Sequence, residues 1–366
     1  MAPDGAIIKT EAQASVFTPG DPIFRLLRLL RFFAALAALC CWAAAPVARA
    51  AILPAQLAVV INDDDPNSVE LGEYYRRQRG IPAANMVHVR IPGKPRKLDA
   101  AQFRQLKDDI DARLGPEIQA VLMVWTAPYA VECNGITAAY TLGLDSALCT
   151  RTCQPGKPSA YFNAAGPAMA RPFSALGMRL AMLLPADSVE QGKALIGRGV
   201  ASGFRVPAAG AYYLETSEVQ RNSRVPFYPR AGVLAQRKLT IHQQKADTLE
   251  GVRDIMVYQT GMARVDKLDT LAFLPGALAD HLTSFGGDLY GATQMSSLRW
   301  LEAGATASYG TVSEPCNYWQ KFPHPTVLLR HYLNGDTALE AYWKSVSWPA
   351  QGVFIGEPLA APYRRN

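Results

Sequence analysis

Short runs that are apolar throughout alternate along this chain with helix-length segments. The first run, Leu57–Asn62 (LAVVIN), precedes a predicted helix from Ser68 to Arg79, and a predicted helix from Asp99 to Leu114 precedes the run Gln119–Trp125 (QAVLMVW). A strand that is apolar on both faces is covered on both sides, as in a parallel sheet. Right-handed crossovers between such strands give a doubly wound arrangement. The sequence therefore predicts a three-layer α/β/α fold with a mostly parallel, doubly wound sheet.

The regular pattern lapses after Trp125 and returns near residue 254. We expect residues from about 126 to 250 to form an irregular, cysteine-containing insertion with helices near Phe173–Leu184 and Ser188–Gly197. The strands predicted after it are Asp254–Tyr258, Leu271–Leu278, Ala305–Tyr309 and Gly352–Ile355. Residues 51–366 are therefore predicted to form a single α/β domain.

Residues 1–50 have the pattern of a secretory signal peptide. Three arginines precede the apolar run Phe32–Ala48, and Ala48-Arg49-Ala50 provides an A-x-A cleavage site. This pattern predicts an exported protein, periplasmic or secreted, with no membrane span after cleavage.

Composition limits the partners of such a protein. Hydrophobic residues make up 49% of the chain, which is too many for a disordered protein. The formal net charge is only +6, and no dense basic block with interleaved aromatic residues is present, so nucleic acid is a poor candidate. An envelope protein or a polysaccharide remains as a partner, and the oligomeric state is left open.

Four cysteines follow residue 50: Cys133, Cys149, Cys153 and Cys316. In an oxidising compartment they can form two disulfides with three connectivities. Cys149 and Cys153 are close enough in sequence to bridge, and Cys316 could pair with Cys133. A disulfide role is favoured over zinc, because no second close pair of cysteines is present.

Polar segments follow the predicted strands, where ligands bind in open α/β sheets. These segments are 62–68, 126–129, 280–287, 310–316 and 356–359. We expect them to gather at one sheet edge, and the candidate ligand-binding residues are Asn62, Asp63, Ser68, Asp280, Gly286, Gly287 and Thr311.

A cysteine–histidine pair is one chemistry that such an edge could perform. Cys316 would be the nucleophile and His281 its base, with Gly286-Gly287 or Gly310 supplying backbone N–H groups to an oxyanion. Ser284 and Glu314 are further catalytic candidates in the same loops. The alternative is that Cys316 has a structural role.

Clustered carboxylates suggest a divalent cation as a second possibility, although no other cofactor is indicated. Asp63, Asp64, Asp65, Asp280 and Glu314 carry the oxygen ligands that Mg²⁺ or Ca²⁺ prefers. The favoured alternative for residues 65–68 is turn and helix-cap chemistry.

Two further groups of side chains could bind a ligand. Arg221 and Arg224 could clamp an anion, or they could belong to a solvated loop. The segments NYWQKFPHP (317–325) and AYWKSVSWP (341–349) could form a platform for a carbohydrate or peptide, or could pack helices onto the sheet.

Four long segments resemble an uncharacterised family of exported bacterial proteins that accompanies the exosortase/PEP-CTERM sorting system. They are INDDDPNSVELGEYYRRQRGIPAANMVHV, ALADHLTSFGGDL, WLEAGATASYGTVSEPCNYWQKFPHP and EAYWKSVSWPAQGVFIGEPLAAPY, and the resemblance extends from about residue 57 to 363. It implies an envelope protein that works beside protein sorting or exopolysaccharide export, as a binding or assembly factor, and no established activity comes with it.

The strand order, a late Gly-Ala-Thr strand and the closing Gly-Glu-Pro-Leu also look like the gingipain-type caspase–haemoglobinase fold, with a flavodoxin-like sheet as the alternative. That distant resemblance implies a hydrolase similar to a cysteine peptidase, with its site at the carboxyl edge of the sheet. The segment Leu282–Gly286 lies where those peptidases carry their cysteine, and it contains none.

Overall fold

The computed structural model describes residues 51–203 and 207–364, so the predicted signal peptide lies outside the described residues. Its strands are β1 Leu57–Asn62, β2 Met86–Val89, β3 Lys97–Leu98, β4 Ala120–Val124, β5 Ala130–Val131, β6 Asn134–Gly135, β7 Leu180–Leu183, β8 Ala209–Glu215, β9 Gly232–Leu234, β10 Leu239–Lys245, β11 Ile255–Thr260, β12 Phe273–His281, β13 Ala307–Thr311 and β14 Gly352–Gly356.

Helices flank these strands. They are α1 Pro66–Arg79, α2 Ala100–Asp111, α3 Ile136–Leu142, α4 Ala147–Thr150, α5 Pro172–Leu176, α6 Val189–Ala201, α7 Leu298–Glu302, α8 Pro325–Leu333 and α9 Ala338–Ser345.

Eleven strands form one sheet in the order β2-β1-β4-β7-β14-β13-β12-β11-β8-β10-β9, and β3, β5 and β6 form a small second sheet. Most neighbours in the large sheet are parallel, whereas β13–β14 and β9–β10 are antiparallel pairs. Every residue of β1 and β4 is buried, because these strands lie in the sheet interior and are covered on both faces. The predicted α/β class with a mostly parallel sheet is confirmed.

The structure does not have the long irregular insertion that was predicted for residues 126–250. This stretch supplies β7, β8, β9 and β10 to the large sheet, and its largely irregular parts lie between α3 and α5 and between β8 and β9. The helix predicted near Phe173–Leu184 is present as α5 up to Leu176 and is wrong beyond that residue. Gly177 ends α5 in a left-handed conformation (φ 69°), and the apolar residues after it form β7, which pairs with β4.

Helix α1 begins two residues earlier than predicted, and Asp65 rather than Ser68 is its N-cap. The Asp65 carboxylate accepts the Asn67 N–H at 3.1 Å, and Pro66 occupies the first turn, where its missing N–H costs nothing. The Ser68 hydroxyl instead accepts the Asn62 N–H at 2.9 Å and donates to the Val124 carbonyl. The cap chemistry favoured for residues 65–68 is therefore correct, and Ser68 ties β1 to β4.

Two disulfides join Cys133 to Cys149 and Cys153 to Cys316. The preference for disulfides over zinc is confirmed; neither Cys149–Cys153 nor Cys133–Cys316 is formed, and the pairing is another of the three connectivities left open. The second bridge spans 163 residues and links the irregular stretch to the segment after β13. This pairing depends on which chain segments the sheet brings together, so it could not be predicted from the spacing of the cysteines along the sequence.

The segment 356–359 lies at the opposite end of the sheet from the other polar segments. Gly356 pairs with Ala307 at the start of β13, because β14 runs antiparallel to β13. Glu357 then accepts the Tyr75 hydroxyl at 2.7 Å and pairs with Arg79 at the end of α1. Four of the five predicted loops therefore gather at one edge.

Candidate functional site

The segments that follow β4, β7, β12 and β13 meet at one edge. The Tyr129 hydroxyl donates to Asp288 at 2.5 Å, and the Tyr290 hydroxyl donates to Asp187 at 2.7 Å. The Ser313 hydroxyl donates to the backbone carbonyl of Cys133 at 2.7 Å. These contacts place the ends of strands from both halves of the sheet side by side, as the carboxyl-edge rule predicts.

A small cavity of about 170 Å³ opens at this edge, beyond the ends of β12 and β13. We call it the Arg221 pocket; it is lined by Gln220, Arg221, Leu282, Thr283, Ser284, Pro315, Cys316, Asn317 and Phe322. Sequence analysis identified Arg221, Ser284 and Cys316. Leu282, Thr283, Pro315, Asn317 and Phe322 lie in segments that it singled out without assigning them individual roles, and Gln220 was not identified.

Arg221 is held in the wall of this pocket by two side chains. Its Nε donates to the Thr283 hydroxyl at 3.3 Å, and its Nη1 pairs with Glu218. Thr283 in turn donates to Gln294 at 2.8 Å. Among the described residues, the Arg221 Nη2 group has no hydrogen-bond acceptor. The side chain is 23% exposed and lines the pocket.

The predicted Cys316–His281 dyad is wrong. The Cys316 sulfur is bonded to Cys153, so no thiolate is available in this oxidised form. His281 is only 1% exposed; it accepts the Trp300 indole N–H at 2.8 Å and bonds the Met295 carbonyl at 3.0 Å. Burial lowers the pKa of His281 to about 3. Both ring nitrogens are occupied, and the neutral ring is part of the core.

The other catalytic candidates do not form a nucleophile–base pair either. The Ser284 hydroxyl lines the Arg221 pocket, but no described residue hydrogen-bonds to it and so none activates it. Glu314 accepts the Cys316 N–H at 2.8 Å, within a turn in which Cys316 has a φ of 54°. Glu314 thus stabilises the turn that positions the disulfide.

Gly287 and Thr311 join β12 and β13 rather than binding an oxyanion. The Gly287 N–H donates to the Thr311 carbonyl at 2.8 Å, and the Thr311 hydroxyl donates to the Ser284 carbonyl at 2.9 Å. A Cβ on Gly287 would lie 2.6 Å from the Gly310 oxygen, whereas one on Gly286 would have ordinary contacts at 3.5 Å. Glycine at 287 is required by this close backbone approach.

Asp280 and Arg224 pair with each other beneath the surface. Both side chains are almost completely buried, and Arg224 also donates to the Thr260 carbonyl at 2.7 Å. Gln259 donates to the second Asp280 oxygen at 2.8 Å. Asp280 is therefore not a ligand-binding residue at the edge, and Arg224 is not an anion clamp; the pair fixes the segment after β8 to β11 and β12.

The carboxylates proposed for a divalent cation are not brought together. Asp63, Asp64 and Asp65 pair with His88, Arg90 and Lys94, respectively, at 2.7, 2.8 and 2.9 Å. Asn62 accepts the Ile91 N–H at 2.9 Å and so closes the same loop. Across residues 51–203 and 207–364, one group has the proximity of metal ligands, namely Cys153, Glu314 and Cys316, and its two sulfurs form the disulfide.

An aromatic cluster is formed by the segments that build the Arg221 pocket. The ring centroids of Phe227 and Trp319 are 4.7 Å apart, and His324 lies 4.8 Å from Phe227 and 5.3 Å from Trp319. All three side chains are partly exposed. By contrast, Tyr342 and Trp343 of the second aromatic segment are fully buried and pack α9 onto the sheet. Sequence analysis missed Phe227, which lies alone in a Val-Pro-Phe turn.

No helix in the described residues is long and apolar enough to cross a membrane. No known family profile matches the chain, and no curated protein matches it, so the resemblance to the exosortase-associated family stays a prediction.

Two solved structures show a weak likeness. One is the Arg-specific cysteine proteinase gingipain R, with a TM-score of 0.39 and 10% identity over 84% of this chain and 78% of that one. The other is the complex of the pro- and mature domains of RgpB from Porphyromonas gingivalis, with a TM-score of 0.40 and 9% identity over 84% and 79%. Proteinase activity belongs to those proteins. Their TM-scores are too low to support an argument about this chain, so its α/β fold class is assigned from its own sheet topology.

Proposed function

We propose that this protein is a non-catalytic binding protein of the cell envelope that holds an acidic saccharide at the Arg221 pocket. One observation carries the proposal: Arg221, whose Nη2 group has no acceptor among the described residues, lines a pocket, and two of the pocket's segments continue into the aromatic cluster.

The two walls of the site are short segments. Residues 220–221, 315–317 and 322 line the pocket, and the same segments continue to Phe227, Trp319 and His324. Aromatic rings offer large, rigid faces that pack well against the C–H faces of a sugar ring. A guanidinium group bonds carboxylates strongly and directionally. Aromatic rings together with an arginine that keeps one donor group unpartnered suit a sugar that carries a carboxylate.

The state of the remaining side chains favours binding over hydrolysis. Nucleophilic catalysis requires an activated nucleophile within hydrogen-bond reach of a base. Cys316 is in a disulfide, His281 is buried and fully bonded, and Ser284 has no described base beside it. The same residues that could build a hydrolytic site therefore stabilise the floor and rim of a binding site.

Placement in the envelope is part of the proposal. Disulfides are typical of proteins from oxidising compartments, and two are present here. The predicted signal peptide over residues 1–50 points the same way.

Calorimetric titration of the oxidised protein with trigalacturonate, and with a neutral trisaccharide, tests the proposal. We expect Arg221→Gln to weaken trigalacturonate binding by about tenfold or more, because a charge-assisted hydrogen bond is lost. Trp319→Ala should weaken binding of both sugars, since the platform contacts ring faces. Arg113→Gln, at an exposed arginine of the other half of the sheet, is the matched control.

Two results would contradict the proposal. One is unchanged trigalacturonate affinity in Arg221→Gln. The other is cleavage of the sugar, seen as released reducing ends, which would require a catalytic site instead.

A further inference from the structure

A second concave surface lies far along the sheet, between its last strand and a helix. This groove of about 690 Å³ runs between β9 and α8. Its floor is apolar and consists mainly of Val233, Leu234, Ile241, Leu329 and Leu333. Val233 is 71% exposed and Leu234 is 39% exposed, which is unusual for residues so close together on a soluble surface. Ile241, Leu329 and Leu333 are buried, so the exposed apolar surface of the groove belongs to Val233 and Leu234.

The backbone of β9 offers a second feature of this groove. β9 is the last strand of the large sheet, and it pairs only with β10, in the antiparallel register Gly232–Ile241 and Leu234–Leu239. Within the described part of the chain, no strand covers its outer edge. A free strand edge presents N–H and C=O groups that another extended chain can satisfy.

The third feature of the groove is its positive charge. Arg237 and Arg330 line the groove, and no acidic residue does. Arg230 and Lys238 flank β9 in the chain. Within the described residues, none of these four side chains has a carboxylate within 4 Å, and Arg330 bonds only the neutral side chain of Asn163. The rim of the groove is therefore complementary to negative charge.

We propose that this groove binds an extended, acidic peptide segment of a partner protein, which adds to β9 as a further strand. Its alternate side chains would cover the apolar floor, and its acidic side chains would meet Arg237 and Arg330. The free backbone edge favours a peptide over a lipid, because an acyl chain has no groups that could pair with N–H and C=O. This surface is separate from the Arg221 pocket, so the inference stands independently of the proposed function.

Fluorescence anisotropy with a labelled Glu-Val-Glu-Val-Glu-Val peptide tests the inference on the oxidised protein. Two isomers of the peptide, each N-methylated at alternate residues, block opposite backbone edges. Strand addition predicts that one isomer binds like the parent and that the other loses at least about tenfold in affinity, because a whole row of hydrogen bonds is removed. If both isomers bound equally, the strand-addition geometry would be wrong.

Substitutions in the protein test where the peptide binds. Arg237→Gln and Arg330→Gln should each weaken binding by about two- to fivefold, the usual size for an exposed ion pair, and 0.5 M salt should erase the difference. Val233→Asp should abolish binding, while Val219→Asp should leave it unchanged, since Val219 is 75% exposed but lies outside the groove. If Val233→Asp and Val219→Asp weakened peptide binding equally, the peptide would not bind in the groove.

Two control experiments address the other occupants of such a surface. Sedimentation of the protein with phosphatidylglycerol vesicles should show no binding that depends on Val233. Analytical ultracentrifugation should show no self-association that Val233→Asp disrupts. Either dependence would overturn the peptide proposal, in favour of a membrane surface or a second copy of the chain.

Discussion

Arg224 and Asp280 form an ion pair in which the two side chains are only 2% and 1% exposed. Arg224 lies in the segment after β8 and Asp280 lies in β12, so the pair links two parts of the chain that are 56 residues apart. The Arg221 pocket and the aromatic cluster are built on the same segment as Arg224. The geometry of the proposed binding site therefore depends on a buried charge pair that does not itself touch the ligand.

Removal of one member of this pair should be costly. We expect Arg224→Met to lower the free energy of unfolding by about 3–5 kcal/mol, because Asp280 is left as an uncompensated buried charge. Arg224→Met combined with Asp280→Leu should recover part of that loss. Urea denaturation measures both, and Arg90→Met, which breaks the exposed pair with Asp64, should cost less than about 1 kcal/mol. If Arg224→Met and Arg90→Met lowered the free energy of unfolding by similar amounts, burial of the Arg224–Asp280 pair would not be the reason for its contribution.

The two disulfides should differ in their contribution to stability. They close loops of 163 and 16 residues, and the chain-entropy treatment assigns about 5 kcal/mol to the longer loop and about 3 kcal/mol to the shorter. The double variant Cys153→Ser/Cys316→Ser should therefore unfold at lower denaturant concentration than Cys133→Ser/Cys149→Ser. The reverse order of midpoints would show that native-state contacts, rather than loop length, set the difference.

His281 should make the protein less stable in acid. Burial holds the pKa of His281 near 3, below its ordinary value of 6.5. Between these values the unfolded chain takes up a proton that the folded protein excludes, so stability falls as the pH falls from about 6.5 towards 3. The contribution of this one group at pH 4.5 is about 2–3 kcal/mol.

Comparison of unfolding free energies at pH 7.5 and pH 4.5 measures that effect. His281→Gln should be less stable at pH 7.5, because contacts to Trp300 and Met295 are weakened, but its loss between the two pH values should be smaller. His242→Gln, at a partly exposed position of β10, should keep the wild-type difference. An unchanged pH difference in His281→Gln would show that the buried imidazole does not cause it.

Neighbouring glycines give a test of the close approach between β12 and β13. Gly287→Ala should cost about 1–3 kcal/mol or more, because the new methyl group meets the Gly310 and Thr311 backbone at 2.6–2.8 Å. Gly286→Ala meets its neighbours at 3.5 Å and should cost much less. Thermal unfolding of the two variants measures the difference, and equal losses would rule out a special role for the Gly287–Gly310 contact.

Local sequence pattern was a good guide where structure is decided locally. The apolar run at residues 57–62 is the strand observed, and α1 ends at Arg79 as predicted, where Gly80 adopts a left-handed conformation. Where two local patterns competed, prediction failed: the apolar residues around β7 can continue a helix as well as start a strand. The place of β7 between β4 and β14, which is a contact between distant segments, decides in favour of the strand.

The candidate site was predicted by position but not by chemistry. The sequence by itself determined that polar segments follow buried strands, that the chain carries cysteines suited to disulfides, and that the sheet is mostly parallel, because hydrophobic pattern and residue type are local properties. The tertiary structure alone decided that Cys316 pairs with Cys153, that His281 turns into the core, and that Arg221 lines a pocket with its Nη2 group unpartnered. Each of these depends on which side chains meet across tens to hundreds of residues, and no local spacing encodes that meeting.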